Sequence, residues 1–472
     1  MIRWSMARWV YSCVVWLAQP VLRRKLRRRA QAEPGYGVAI EERFGYYTQP
    51  AEPVGAALPF GLTADLAEVV DTLNTVDLVG MDRRFVWVHA VSLGETRAAA
   101  VLVAQLRIQL PGMRLLLTHG TATGRAQGAA LLQPGDVQVW QPWDTPGAVA
   151  RFLTHFQPRV GLLMETEIWP NLVAGCARLG VPLCLVNARC NAKTFRQAKR
   201  LAWLSRPAYA GLRAVWAQSP DDAARLTALG APVLGVMGNF KYDATPDAPQ
   251  LARGRAIRQT SAQPVVMFAS SREGEELMLL EKFRQIMPLA PVECAQAAPK
   301  NIASVTALGA VQWLVVPRHP QRFDEVARLF QDAGFSVARR SAWGDGNPTP
   351  ADVWLGDTLG EMALYFGMAD AALLGGSFAP LGGQNLIEAA ACGCPVLMGP
   401  HTFNFSEAAE LAQVAGAAFA QADFSQAVDR ALALVQSPQE LAQARGAALA
   451  LSQAHRGAAQ RTAAAVREML LR

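Results

Sequence analysis

The chain has 472 residues, and several features that would mark other protein classes are missing from it. No acidic residue occurs before Glu33, yet Arg3, Arg8, Arg23, Arg24, Lys25, Arg27, Arg28 and Arg29 all lie in that stretch. The net charge of +7 is therefore concentrated at the N-terminus and the rest of the chain is close to neutral. A body without distributed basic charge argues against a nucleic-acid-binding surface. The seven cysteines have no zinc-ligand spacing, and Cys392-Gly393-Cys394 is too tight for a Cys-x-x-Cys pair, so reduced thiols are expected. No Asp-x-Asp falls at a strand end, which leaves no evident divalent-cation site. No small-residue cleavage site precedes the arginine cluster, which argues against a signal peptide. An unbroken apolar run of about 20 residues is also missing, since Arg8 interrupts and Pro20 limits the aromatic stretch 4–22. Tryptophans beside basic residues suit a helix in the headgroup layer, where each cation adds roughly 1 kcal/mol on an anionic leaflet. Residues 1–31 are expected to form a membrane anchor at a cytoplasmic face.

What is present is an enzyme-like body. Half the residues are apolar (51%) and 18% are charged, and the length suits two domains. Short apolar runs at 85–88, 114–117, 137–141, 160–164, 183–186, 214–217 and 233–236 alternate with helical patterns at 95–110, 146–156, 170–179 and 220–229. Pro146, Pro170 and Pro220 stand where a first helical turn tolerates proline. A Pro-rich linker, Asp243-Ala244-Thr245-Pro246-Asp247-Ala248-Pro249, precedes a second series at 265–269, 312–316, 335–338, 353–355, 371–374 and 396–398. The expected class is α/β, with doubly wound domains at 32–243 and 244–472, the second including the C-terminal helices. Such a pair would place a ligand in a cleft between the carboxyl ends of their strands. Residues 289–310 read as a loop-like insertion without an assigned role.

Polar residues gather after the predicted strands. Gly375-Gly376-Ser377 and Gly382-Gly383-Gln384-Asn385-Leu386-Ile387-Glu388 lie between a strand and a helix, where bare amides can surround a phosphate; a tight turn is the plainer alternative. Asn385 and Glu388 share a helix face and can serve a phosphate and ribose hydroxyls. Glu95 starts a helix after the first strand, as a dipole-favouring carboxylate or as a base. Glu165 and Glu167 follow the fourth strand, where one orients a basic group and the other caps the helix at Pro170. Arg189 adds a cation to that rim. Lys241 lies beside the linker, within reach of an anion or simply solvated. Pro317-Arg318-His319-Pro320 makes a rigid cationic corner, and Thr358-Leu359-Gly360-Glu361 offers amides to a base edge.

Together these motifs resemble the 3-deoxy-D-manno-octulosonic acid (Kdo) transferases, inner-membrane glycosyltransferases acting on a lipid A precursor. The resemblance runs through segments 42–47, 89–96, 165–172, 187–189, 238–243, 317–320, 356–365, 375–388 and 398–405, in the family's order. It implies the GT-B fold, CMP-Kdo as co-substrate, no cofactor or metal, lipid IVA as acceptor, and inversion by a single displacement. It also implies Glu95 as general base, Glu165 and Lys241 as transition-state stabilisers, and Arg318, His319, Leu359, Gly360, Glu361, Gly375, Gly376, Ser377, Asn385, Leu386, Ile387 and Glu388 as the donor site. Anionic inner-membrane lipids at the cytoplasmic face would hold the anchor. Two other readings fit the bare pattern: a GT-B enzyme using a UDP-sugar, and a non-catalytic membrane-surface scaffold.

Overall fold

The alternation of apolar runs and helical patterns resolves into two all-parallel sheets. The computed structural model describes residues 2–49, 84–243, 245–286, 311–344 and 346–471. The first sheet comprises β1 (Phe85–His89), β2 (Arg114–His119), β3 (Val137–Trp140), β4 (Val160–Met164), β5 (Leu183–Ala188), β6 (Ala214–Ala217) and β7 (Val233–Val236), in the order β3-β2-β1-β4-β5-β6-β7. Successive side chains on β1 point to opposite faces. Phe85 and Trp87 join Phe152 and Phe156 in one buried cluster, while Val86 and Val88 join Leu102 and Leu106 in another. Both faces are covered by helices, which explains strands that are apolar throughout rather than alternating.

The second sheet contains β8 (Val265–Ser271), β9 (Gln312–Pro317), β10 (Val337–Arg339), β11 (Val353–Leu355), β12 (Ala371–Leu374), β13 (Val396–Met398) and β14 (Ala418–Ala420), in the order β10-β11-β9-β8-β12-β13-β14. In a doubly wound sheet the order reverses at one point, and ligands bind beyond the carboxyl ends of the strands there. That point lies between β1 and β4 in the first sheet and between β8 and β12 in the second.

The chain separates into Met1–Asp243 with Gly457–Arg472, and Ala244–Arg456. The final helix, Ala458–Leu471, thus packs with the first unit and not with the second, where the sequence reading put it. Ala459, Ala463 and Val466 complete the cluster of Val86 and Val88. Asp243 fixes its start by accepting from the amides of Gly457 (2.5 Å), Ala458 (3.2 Å) and Ala459 (2.6 Å), a carboxylate at the positive end of a helix dipole.

The N-terminal helix spans Ile2–Ala32 with Pro20 inside it. Among the described residues, no helix is long and apolar enough to cross a membrane. This helix is docked rather than loose. Ser12 Oγ donates to Asn171 Oδ1 (3.0 Å), the Tyr11 hydroxyl is held above its ordinary value by burial and by the charge of Asp144, and Arg23 pairs with Glu41 (2.9 Å) while its guanidinium lies 3.6 Å over Phe44. The insertion at 289–310 lies outside the described residues.

Candidate active site

Glu95 stands in the third position of the Leu93–Gln109 helix, and Ser92 caps that helix. Glu95 N donates to Ser92 Oγ (3.3 Å), Ser92 Oγ donates to Glu95 Oε1 (3.1 Å), and Glu95 Oε2 accepts from Val91 N (2.9 Å). This is a variant of the Ser-x-x-Glu capping box, legible in Ser92-Leu93-Gly94-Glu95. Burial pushes the Glu95 carboxyl up to about 7, against the pull of the Val91 amide, and the charges of Glu165 and Glu167 push the same way. The helix-start reading is therefore correct, and it does not compete with a chemical role. A carboxyl poised near neutrality suits a proton acceptor.

The loop carrying Glu95 is pinned from β2. The amides of Gly120 (3.1 Å) and Thr121 (2.9 Å) and the Thr121 hydroxyl (2.9 Å) all donate to Val91 O. His119 Nε2 lies 2.9 Å from the Gln138 amide nitrogen, so it accepts there; Nδ1 then carries the proton and donates to Ala90 O (2.9 Å). Burial lowers this imidazole to about 4, which keeps it neutral in that arrangement. His119-Gly120-Thr121 is not among the residues expected from the sequence, although a polar cluster directly after a strand is the signal that marks it.

Glu165, just after β4, and Asn187, next to last in the adjacent β5, have φ of +56° and +50°. Non-glycine residues in the left-handed region are uncommon and concentrate at functional sites. Arg189 is tied to the same rim, its amide donating to Glu165 O (3.1 Å). The Asn187 side-chain oxygen accepts from Phe240 N (3.1 Å), which fastens the Phe240–Asp243 turn bearing Lys241 to the end of β5. A chain of amides supports it: Gln218 Nε2 donates to Asn187 O (2.9 Å), Asn239 Nδ2 to Gln218 Oε1 (3.1 Å), and Lys241 N to Asn239 Oδ1 (3.0 Å). Neither Glu165 nor Glu167 caps the helix at Pro170. Glu167 accepts from Trp169 Nε1 (2.9 Å), and the capping anion is Asp144, which receives Asn171 N (3.0 Å) and Leu172 N (2.8 Å).

In the second unit the glycine-rich turn holds an anion, but one supplied by the protein. Glu275, fully buried, accepts from Gly376 N (2.8 and 2.9 Å), Ala379 N (3.2 Å) and Arg272 N (2.9 Å). The Gly375 amide goes to Ala269 O, Ser377 N and its hydroxyl go to Leu374 O, and Gly383 N goes to Gly376 O. The expectation that Gly375, Gly376 and Ser377 offer free amides to a phosphate is therefore corrected: their donors are already engaged. Glycine is still required at 375, because a Cβ there would lie 2.2 Å from Ser270 O.

The remaining donor candidates lie on strand-end turns of this unit. Arg318 is exposed and His319 half-buried, directly after β9. Burial, then the positive charges of Arg272, Arg318 and Arg322, hold His319 below its ordinary value. Leu359 is exposed, Gly360 has φ +80°, and the Glu361 carboxylate is bound by Arg340 Nη2 (2.7 Å) and the Thr358 hydroxyl. Glu361 thus braces its turn rather than offering a vacant carboxylate. Asn385 uses Oδ1 to cap the Leu386–Cys392 helix at Ile387 N (3.2 Å), which leaves its amide nitrogen as the outward donor. Leu386 and Ile387 are buried, so only their main chain is available to a ligand, whereas Glu388 is half-buried on the same helix.

Residues 39–244 match the family described as 3-deoxy-D-manno-octulosonic-acid transferase (kdotransferase). The 3-deoxy-D-manno-octulosonic acid transferase of Bordetella pertussis is 48% identical over 392 residues, which is 82% of this chain and 87% of that one. Its counterpart in Haemophilus influenzae is 29% identical over 409 residues, 85% of this chain and 84% of that one. A glycosyltransferase of known structure from Rickettsia africae aligns with TM-score 0.51 at 11% identity, covering 83% of this chain and 100% of that one. At that identity the likeness concerns the fold, and the two doubly wound units are those of a GT-B architecture.

Proposed function

The chain belongs to the 3-deoxy-D-manno-octulosonic acid transferase family and is a glycosyltransferase of lipopolysaccharide biosynthesis; from that premise we propose that it moves Kdo from CMP-Kdo to lipid IVA with Glu95 as the base. The acceptor hydroxyl oxygen attacks the anomeric carbon of Kdo, the bond from that carbon to the phosphate oxygen breaks, and CMP departs with the electron pair. Glu95 takes the hydroxyl proton, and the configuration inverts. The observation that carries this reading is a carboxyl raised to about 7 at the reversal point of the first sheet. Glu165 and Lys241 are assigned to transition-state stabilisation. Arg318, His319, the turn 359–361 and the pair Asn385 and Glu388 are assigned to CMP, with helix ends and cations meeting the leaving-group charge and no metal or cofactor taking part.

Incubation of the purified protein with CMP-Kdo and lipid IVA, followed by mass spectrometry, tests this directly. A product heavier by whole Kdo increments is expected. A UDP-sugar enzyme would instead be protected from thermal unfolding by UDP and not by CMP. Asn385→Ala and Glu388→Ala are expected to raise the Michaelis constant for CMP-Kdo roughly tenfold each, in line with one hydrogen bond to a charged or polar ligand group, with kcat altered far less. An unchanged donor Michaelis constant removes those residues from the site.

The locale proposed is the cytoplasmic face of the inner membrane, with anionic lipids as partners and the N-terminal helix lying in the headgroup layer. Trp9, Val10, Val14, Leu17 and Val21 are exposed along it, which supports a lipid-facing stripe. The neighbouring helix Ala202–Ala210 exposes Trp203, and the helix before it, Ala192–Arg200, exposes Lys193, Arg196, Lys199 and Arg200.

A further inference from the structure

The turn after β8, residues 272–274, carries a cation that the transfer reading has not used. β8 lies between β9 and β12, so this turn is flanked on one side by Arg318 and His319 and on the other by Gly375 and Gly376. It is knitted to both. Arg318 N donates to Ser271 O (3.0 Å), and Glu275 accepts from the amides of Gly376 and Ala379 as well as from Arg272. Ser270, just before the turn, has φ +56°, and Gly376 opposite has φ +70°. A Cβ on Gly376 would come within 3.6 Å of Arg272 Cγ, so the arginine stem runs over the glycine backbone.

Among the described residues, the charges around Arg272 leave it without a counter-ion. Glu275 is spent on backbone amides, and Glu276 is clasped by Arg322 through two bonds (2.9 and 3.1 Å) and by the Ser271 hydroxyl (2.7 Å). Arg272 is half-buried, and among the described residues its guanidinium makes no hydrogen bond or ion pair. A planar fork of donors held at a strand end, at the reversal point of the sheet, matches the geometry of a carboxylate or phosphate.

We propose that Arg272 is a further donor-binding residue, its guanidinium engaging an anionic group of the nucleotide sugar. Glu275 sets its place by holding the Arg272 backbone against the glycine turn. Two groups of CMP-Kdo have the required chemistry, the phosphate and the sugar carboxylate. The inference rests on the reading that this unit binds CMP-Kdo, and the experiment separates the two.

The full-length protein is titrated calorimetrically with CMP, and its turnover is followed against CMP-Kdo concentration. Failure of the unaltered protein to bind CMP would count against the donor reading itself. With that binding in place, Arg272→Ala is expected to weaken CMP affinity, or to raise the Michaelis constant for CMP-Kdo, at least tenfold, with the melting temperature unchanged. Loss toward both free CMP and CMP-Kdo assigns the phosphate; loss confined to CMP-Kdo assigns the carboxylate. Arg272→Lys is expected to recover part of the loss, as a point charge without the fork. An Arg272→Ala protein with unchanged CMP affinity and an unchanged Michaelis constant overturns the proposal.

Discussion

Glu95→Gln is expected to lower turnover by about a hundred- to ten-thousandfold while leaving CMP affinity unchanged. The amide keeps the shape and can still accept from Val91 N, but it cannot take a proton, and general base catalysis is commonly worth 10² to 10⁴. The unaltered enzyme should show kcat/KM rising through about pH 7 as Glu95 ionises, and the residual activity of the variant should lack that limb. A second readout follows from linkage. The folded-state value is raised above the unfolded one near 4.5, so the folded protein holds a proton that the unfolded chain releases. The stability this confers is complete below pH 4.5 and lost as pH rises through 7. Ionised Glu95 then costs the fold on the order of 1–3 kcal/mol at pH 8, with partial solvent contact included. Glu95→Gln should therefore melt higher relative to the unaltered protein at pH 8 than at pH 5. Near-normal turnover, or a melting difference independent of pH, would refute the poised-carboxyl account.

Some of this was legible in the residues and some was not, for physical reasons. Short apolar runs bounded by Pro and Gly placed thirteen of the fourteen strands among the described residues to within a few residues. The exception, β14, is a three-residue edge strand whose sequence, Ala418-Phe419-Ala420, carries no period. Prolines at first helical positions fixed the starts of the Pro146, Pro170 and Pro220 helices. What stayed hidden was contact over long separations. Glu275 reaches a turn one hundred residues away, Asp144 caps a helix beyond the next strand, and Asp243 seats a helix from the far end of the chain. A glycine pair after a strand looks the same whether its amides face a phosphate or a buried glutamate. The last helix is Ala-rich, with nothing in its pattern to say which sheet it covers. The strain at Glu165 and Asn187 is likewise invisible in sequence, because any residue type can be forced left-handed when its surroundings demand it.

Deleting residues 1–22 is expected to unseat the first unit as well as free the protein from membranes. The charge pattern alone describes this segment as an anchor, which would make it dispensable for folding. The contacts describe a structural brace. Asp144 is 2% exposed, burial pushes it up to about 6, and its carboxylate is satisfied by two backbone amides, with Tyr11 among the groups that act on it. Truncation removes Tyr11 and Ser12 together and opens the Asp144–Asn171 pair to water. The Ser12–Asn171 hydrogen bond is worth about 0.5–1.5 kcal/mol, and the packing of Tyr11 beside Asp144 and the buried contact of Ala7 are lost as well. A total of about 3 kcal/mol lowers the melting temperature of a domain this size by roughly 6–12 °C. Two variants separate the roles of the one helix. Tyr11→Phe should lower the melting temperature while vesicle binding persists, since Tyr11 points at Asp144. Trp9→Ser with Leu17→Ser should abolish binding to anionic vesicles at an unchanged melting temperature, since both side chains are exposed. A truncated protein that melts with the full chain would mean the helix is only an anchor, and the Tyr11–Asp144 contact would carry no stability.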